Sequence, residues 1–192
     1  MNSFMKFAEI SWEESTLAKL AKEMTNKSMD IAELDKPFAT LKINDTSENE
    51  GLTDEEKSKI KEETGWPDEI IDSIESMEEY EIYKNADLQE AEIDGKKCLI
   101  RSDIDMDQKD EFGRTNKERM ENGQPPITKS GETVELHHIG QKADSPLAEL
   151  TTKEHRGVGN DTILHDKQKD SEIDRNEFKK ERESHWQSRA NE

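Results

Sequence analysis

The stretch VELHHIGQKADSPLAELTTKEH, Val134 to His155, leaves little freedom in what it can fold into. Val134 and Leu136 alternate with Glu135 and His137, the pattern of a strand that runs to about Gln141. Gly140 and the Asp144-Ser145-Pro146 triplet make a loop, Leu147-Ala148-Glu149-Leu150 a second short strand, and Thr151 or Thr152 the start of a helix. The outline is a ββα unit with a histidine doublet on its first strand and His155 on its helix. Neighbours on a strand face opposite ways, so His137 and His138 are expected to hold different jobs unless the strand bends. A neutral imidazole binds a divalent metal or accepts a proton from water, two services on which hydrolysis of a phosphodiester can draw.

The rest of the chain limits what surrounds this unit. Hydrophobic residues are 29% and charged residues 39% of the 192, which permits one ordinary domain or two small ones with part of the chain extended. Cys98 is the single cysteine, so an internal disulfide framework and a thiolate cluster are excluded within one chain. No run of about 18 apolar residues spans a bilayer, and MNSFMKFAEISWEES lacks the basic and apolar regions of a signal peptide. The expectation is no membrane insertion, a cytoplasmic site of action in the producer or a target cell, and any export by a route independent of a cleaved signal. Net charge is −19, but residues 1–95 hold 10 Lys and Arg against 26 Asp and Glu, whereas residues 96–192 hold 18 against 21. The half with the histidines is nearly balanced.

Three regions follow: 1–50, a helix over 8–24 and a polar linker; 51–95, acidic and helical; and 96–192, with its core at 132–190. Thr53 and Glu56 form a capping box for a helix that stops near Gly65, and Trp66-Pro67 restarts one helix with Ile70, Ile71, Ile74, Met77 and Tyr80 on its apolar face. Its acidic side reads as a solvated surface rather than a nucleic-acid mimic. Asp94-Gly95 turns a hairpin within 88–101. The acids from Asp103 onward fail the calcium-loop spacing, because Gln108 and Arg114 stand where a glycine and an acid are required. A short helix runs through NKERMENG, and a long final helix is expected with Ser171 as cap and Ile173, Phe178 and Trp186 as apolar positions. His185 reads as a surface or packing residue.

Taken in order, VELHHIGQ, SPLAELTTKEHRGVGND, ILH and SEIDRNEFKKERESHW resemble the LHH-type branch of the HNH/endonuclease VII superfamily, found as nuclease toxin domains in bacterial polymorphic toxin systems. The resemblance is close over 132–190 and extends back to about residue 66. It implies an α+β fold, with a mostly helical N-terminal part and a C-terminal ββα-metal (His-Me finger) core carrying an added hairpin and a terminal helix. It also implies a metal-dependent endonuclease acting on DNA more readily than RNA. His138 resembles the general base, His137 and His155 resemble ligands of one divalent ion (Mg²⁺, Mn²⁺ or Zn²⁺), and Asn160 or, ranked just below it, His165 completes the set. The central Asn of the HNH name has no counterpart near Pro146. Arg156, directly after His155, is the favoured arginine at the reacting phosphate, and Arg114, Arg175 and Arg182 are candidate phosphate contacts. A cognate immunity protein is the implied protein partner.

Two other readings stand beside this one: a ribonuclease toxin with the same site, and an inactive metal-stabilised binding module. The second is disfavoured because structural zinc sites draw on cysteine and have no use for a base at His138. The acidic first 95 residues read either as an electrostatic inhibitor of the cleft or as a linker region.

Overall fold

The computed structural model describes residues 51–168 and 171–192; the helix expected over 8–24 and the linker after it lie outside the described residues. Helix α1, Asp54–Thr64, begins with the Thr53/Glu56 capping box and ends at Gly65 in the left-handed conformation. The single helix expected after Trp66 is two: α2, Asp68–Ile71, and α3, Met77–Asn85. Ser76 breaks it, because its hydroxyl accepts the Glu79 N–H and so starts a new helix. The apolar face survives the break, with Ile70, Ile71, Ile74 and Tyr80 all buried.

Strands β1, Gln89–Ile93, and β2, Lys96–Ile100, form the hairpin, closed by Asp94 and Gly95 with φ of 54° and 75°. Helix α4, Asn116–Glu121, has its own capping box from Thr115 and Glu118. Strand β3, Val134–His138, is shorter than the sequence suggests, since residues Ile139–Gln141 coil into a 3₁₀ turn with Gly140 at φ 65°. Strand β4, Leu147–Thr151, leads straight into α5, Thr152–Arg156; α6, Asn160–Leu164, follows. Helix α7, Arg175–Arg189, is capped by Asp174, which accepts two backbone N–H groups; Ser171, the cap expected from sequence, instead accepts from Ile173. The sheet order is β1-β2-β4-β3, antiparallel except for the β2/β4 pair.

Apolar residues divide by strand parity. Leu99, Ala148 and Leu150 face α1–α3 and pack with Ile139 and Leu164. Cys98, Val134, Leu136 and Leu147 face the other way, toward Met120 of α4 and Trp186 and Ala190 of α7. Residues 51–95 thus share a core with the strands that follow them.

On the second face buried Glu149 fastens α7. Its carboxylate accepts from His185 Nε2 at 2.9 Å, from Arg189 Nε at 3.3 Å and from the Arg101 N–H at 2.9 Å. Arg189 also donates to the Arg101 carbonyl at 2.7 Å. His185 is therefore a packing residue. On the first face buried Glu79 receives the Tyr83 hydroxyl at 2.6 Å and the Gly140 N–H at 3.0 Å on one oxygen, and the Glu75 N–H at 2.7 Å on the other. One carboxylate thereby ties α3 to the turn behind the histidine doublet.

A Cβ at Gly140 would lie 2.3 Å from the Ser73 carbonyl oxygen on a left-handed backbone. Gly140→Ala is expected to lose on the order of 3 kcal/mol in urea unfolding, from the left-handed penalty plus the clash; a loss below about 1 kcal/mol would contradict this packing. Burial pushes the Glu79 carboxyl above its ordinary value despite its hydrogen bonds to Tyr83, Glu75 and Gly140. Its contribution to stability is therefore full below the ordinary carboxylate range and lost as pH rises through the raised folded value. The stability difference between the wild type and Glu79→Gln should shrink over that interval when urea melts are repeated from acidic to neutral pH.

Candidate active site

Strand parity separates the doublet as the sequence requires. Glu135 and His137 point to one face of the sheet and His138 to the other. On the first face His137 meets His155, in the last turn of α5, and His165, the residue that ends α6. Two glycines make this meeting possible. Gly157 closes α5, and Gly159, at φ 93°, turns the chain into α6, so residues ten apart face each other. His155 Nε2 lies 3.2 Å from His137 Nδ1 and 3.2 Å from His165 Nε2. One ligating atom from each ring lies within 4.8 Å of the others.

The hydrogen-bond partners decide what those nitrogens carry. Glu135 Oε2 sits 2.7 Å from His155 Nδ1, so that nitrogen donates and Nε2 keeps its lone pair. His165 Nδ1 lies 3.2 Å from the Asp161 carbonyl oxygen and from its carboxylate, which leaves the His165 Nε2 lone pair facing that of His155. Two lone pairs at that separation repel unless a metal ion or a shared proton lies between them. Imidazoles around a tetrahedral ion at about 2.0–2.1 Å would have nitrogens roughly 3.3 Å apart, close to what is found. His137 Nε2 is buried and has no hydrogen-bond partner among the described residues. Burial, reinforced by its imidazole neighbours, holds His137 well below the ordinary histidine range. Burial also lowers His155, against the opposing pull of Glu135. Both are therefore neutral near neutral pH, the form that binds metal. The donor set fits a divalent ion.

The packing behind these ligands is built from distant residues. Arg101, at the end of β2, pairs with Glu154 at 2.7 Å, and the same Glu154 oxygen closes the capping box that starts α5. Tyr83 of α3 lies against His137, with ring centroids 6.4 Å apart. Sequence reasoning missed Glu135 and Tyr83. Glu135 had a signal, since it stands two residues before His137 on the same strand face; Tyr83 had none.

His138 is 2% exposed. It packs on Phe178 of α7, with ring centroids 4.5 Å apart, and its Nε2 lies 2.9 Å from Glu181 Oε2. A cleft of about 500 Å³ is lined by all four of these histidines together with Arg156, Phe178, Lys179 and Arg182. Arg156 spends its Nε on Glu135 at 2.8 Å, while its side chain stays 59% exposed. Arg182 lies over the Phe178 ring at 4.8 Å.

The other candidates stand elsewhere. Asn160 opens α6 and donates its amide to the Glu154 carbonyl at 2.8 Å, so it is His165, ranked second from sequence, that joins His137 and His155. Arg114 is held by Asp110 and Gln124, and Arg175 is exposed in the first turn of α7; neither lines the cleft. Arg114 is taken up locally because Asp110 also gathers the backbone N–H of Phe112 and the Arg119 guanidinium, a cluster that fixes the loop before α4.

A ββα unit with three converging imidazoles and a fourth beside them defines an HNH-type nuclease domain in the C-terminal part of the chain. Residues 115–192 match the LHH family, described as a nuclease of the HNH/ENDO VII superfamily with conserved LHH, and Leu136-His137-His138 supplies that motif here. No solved structure matches the chain. Nucleases of this superfamily generally use a divalent metal, and among the described residues the three imidazoles form a group that could hold one.

Titration calorimetry with Zn²⁺ should find one ion per chain. His137→Ala and His165→Ala should each weaken binding more than 100-fold, an order-of-magnitude expectation for losing one of three ligands. Glu135→Ala should weaken it about 10- to 100-fold through the lost hydrogen bond to His155. Arg114→Ala should leave it unchanged. Unaltered affinity in His165→Ala would return the ligand question to Asn160.

Proposed function

We propose that the chain is an endonuclease that hydrolyses DNA with one divalent ion held by His137, His155 and His165. The observation that carries the reading is the convergence of those three imidazoles in the cleft that His138 also lines. A divalent cation held there by His137, His155 and His165 would supply Lewis-acid stabilisation of developing negative charge. The all-nitrogen donor set favours a transition-type ion such as Zn²⁺ over Mg²⁺, which prefers oxygen ligands.

His138 accepts a proton from the attacking water as the new phosphorus–oxygen bond forms and the bond to the leaving sugar oxygen breaks. Arg156 orients the scissile phosphate: only its Nε is engaged by Glu135, and the rest of its guanidinium fork has no partner among the described residues. Arg182 and Lys179, on the same cleft, offer charge to neighbouring phosphates and answer the near balance of charge in residues 96–192.

The resemblance to polymorphic toxin domains supports a toxin acting in the cytoplasm of a target cell and restrained by an immunity protein. DNA is preferred over RNA on the same ground.

The decisive experiment incubates the full chain with plasmid DNA and with structured RNA, with Zn²⁺, Mn²⁺, Mg²⁺ or EDTA. The expected result is metal-dependent DNA cleavage, reduced about 10²- to 10⁴-fold in His138→Ala, the range for loss of a general base. Selective RNA cleavage would replace the substrate and keep the site. Absence of cleavage of either nucleic acid with every ion, also after removal of residues 1–50, would leave a metal-stabilised binding module.

A further inference from the structure

The base of the proposed reaction is gripped by residues from two remote parts of the chain. Phe178 and Glu181 stand three apart on α7, hence on one helical face. Phe178 packs against the His138 ring, and Glu181 Oε2 meets His138 Nε2 at 2.9 Å. The other Glu181 oxygen binds Lys96 Nζ at the start of β2, and Ser184, one turn further along α7, bonds to Asp94 in the hairpin turn. Helix and hairpin together fix the carboxylate that faces the imidazole.

A carboxylate accepts and an imidazole N–H donates, so this contact puts the ring hydrogen on Nε2 and the lone pair on Nδ1. His138 Nδ1 is buried and has no hydrogen-bond partner among the described residues. A buried acceptor without a donor is unfavourable, so one left beside a reaction cleft is open to a donor that arrives with the substrate. The chain also lacks a counterpart near Pro146 for the central Asn of the HNH pattern.

We propose that Glu181, itself held by Lys96, is the positioning residue for His138: it takes the Nε2 hydrogen, fixes the ring, and leaves Nδ1 as the atom that accepts the proton of the attacking water. This rests on the nuclease reading above. The logic is that of a carboxylate that orients a histidine base in other hydrolases, where the carboxylate sets tautomer and ring plane without touching substrate.

The test uses the full chain with whichever divalent ion supports wild-type cleavage, comparing wild type, Glu181→Ala and Glu181→Gln on a defined duplex. Long-range ¹H–¹⁵N correlation spectra of the metal-free protein report which His138 nitrogen bears hydrogen. The expected wild-type spectrum shows hydrogen on Nε2, with the preference lost in Glu181→Ala. That variant should lose about 10- to 100-fold in kcat with KM and Zn²⁺ affinity unchanged, the scale seen when an orienting partner is removed. Glu181→Gln, whose amide oxygen still accepts, should keep the tautomer and lose less, and it decides the matter if the alanine variant does not fold.

A rise in kcat for Glu181→Ala would overturn the proposal and make Glu181 a cover over the base. An unchanged kcat, or hydrogen on Nδ1 in the wild type, would overturn it as well. If the wild type cleaves nothing, the nuclease reading falls first and this proposal falls with it, a result distinct from any difference between the variants.

Discussion

A strand can show each face of its sheet only every second side chain, and β3 uses that restriction to build two chemical environments from five residues. Glu135 and His137 stand where α5 and α6 deliver two more imidazoles. His138, one residue on, stands under α7. Had the doublet lain on a helix, the two rings would have diverged by about 100° and neither would have met its present partners. The 3₁₀ turn that ends the strand depends in turn on Glu79, whose carboxylate receives the Gly140 N–H from across the core. That contact ties the end of the strand, just past both histidines, to α3.

Burial sets the character of the ligands. His137 and His155 are each 4% exposed, and loss of water, more than any neighbouring charge, keeps them neutral. The same burial leaves His155 Nε2, 3.2 Å from His165 Nε2, with a cation or a shared proton as the partner that satisfies both nitrogens. Polar groups held together against their own repulsion are common where function overrides local economy. Here the clustered imidazoles sit on one side of the sheet, while the Glu149 network on the other holds α7 in place.

Much of this was legible in the sequence because short-range chemistry governs it. The capping box at Thr53 marks one helix start and the threonine pair at Thr151 another, Asp94-Gly95 marks the hairpin, and alternation through Val134 to His138 marks the strand and splits the doublet. Sequence reading failed where a local competitor or a distant partner decides. Ser76 divided a helix whose apolar spacing was continuous, and Asp174 displaced Ser171 as a cap by offering a carboxylate to two N–H groups. His165 was a candidate ranked just below Asn160 because it lies ten residues from His155, too far for one helical face; the break at Gly157 and Gly159 brings it in. Glu181 and Tyr83 carry no local signal, because their importance comes from what α7 and α3 pack against.

The family match begins at residue 115, yet Ile60, Ile70, Ile74 and Tyr80, all upstream of it, cover Leu99, Ala148, Leu150 and Leu164. The stretch that carries the recognisable motif is therefore smaller than the stretch that folds as one body. A cassette excised at residue 115 and grafted onto a new leader would arrive without β1 and β2, with one face of its two remaining strands bare and Gly140 without its acceptor. Any exchange of this domain between proteins has to carry the helices from Asp54 onward as part of the cargo, or supply a foreign surface of the same shape.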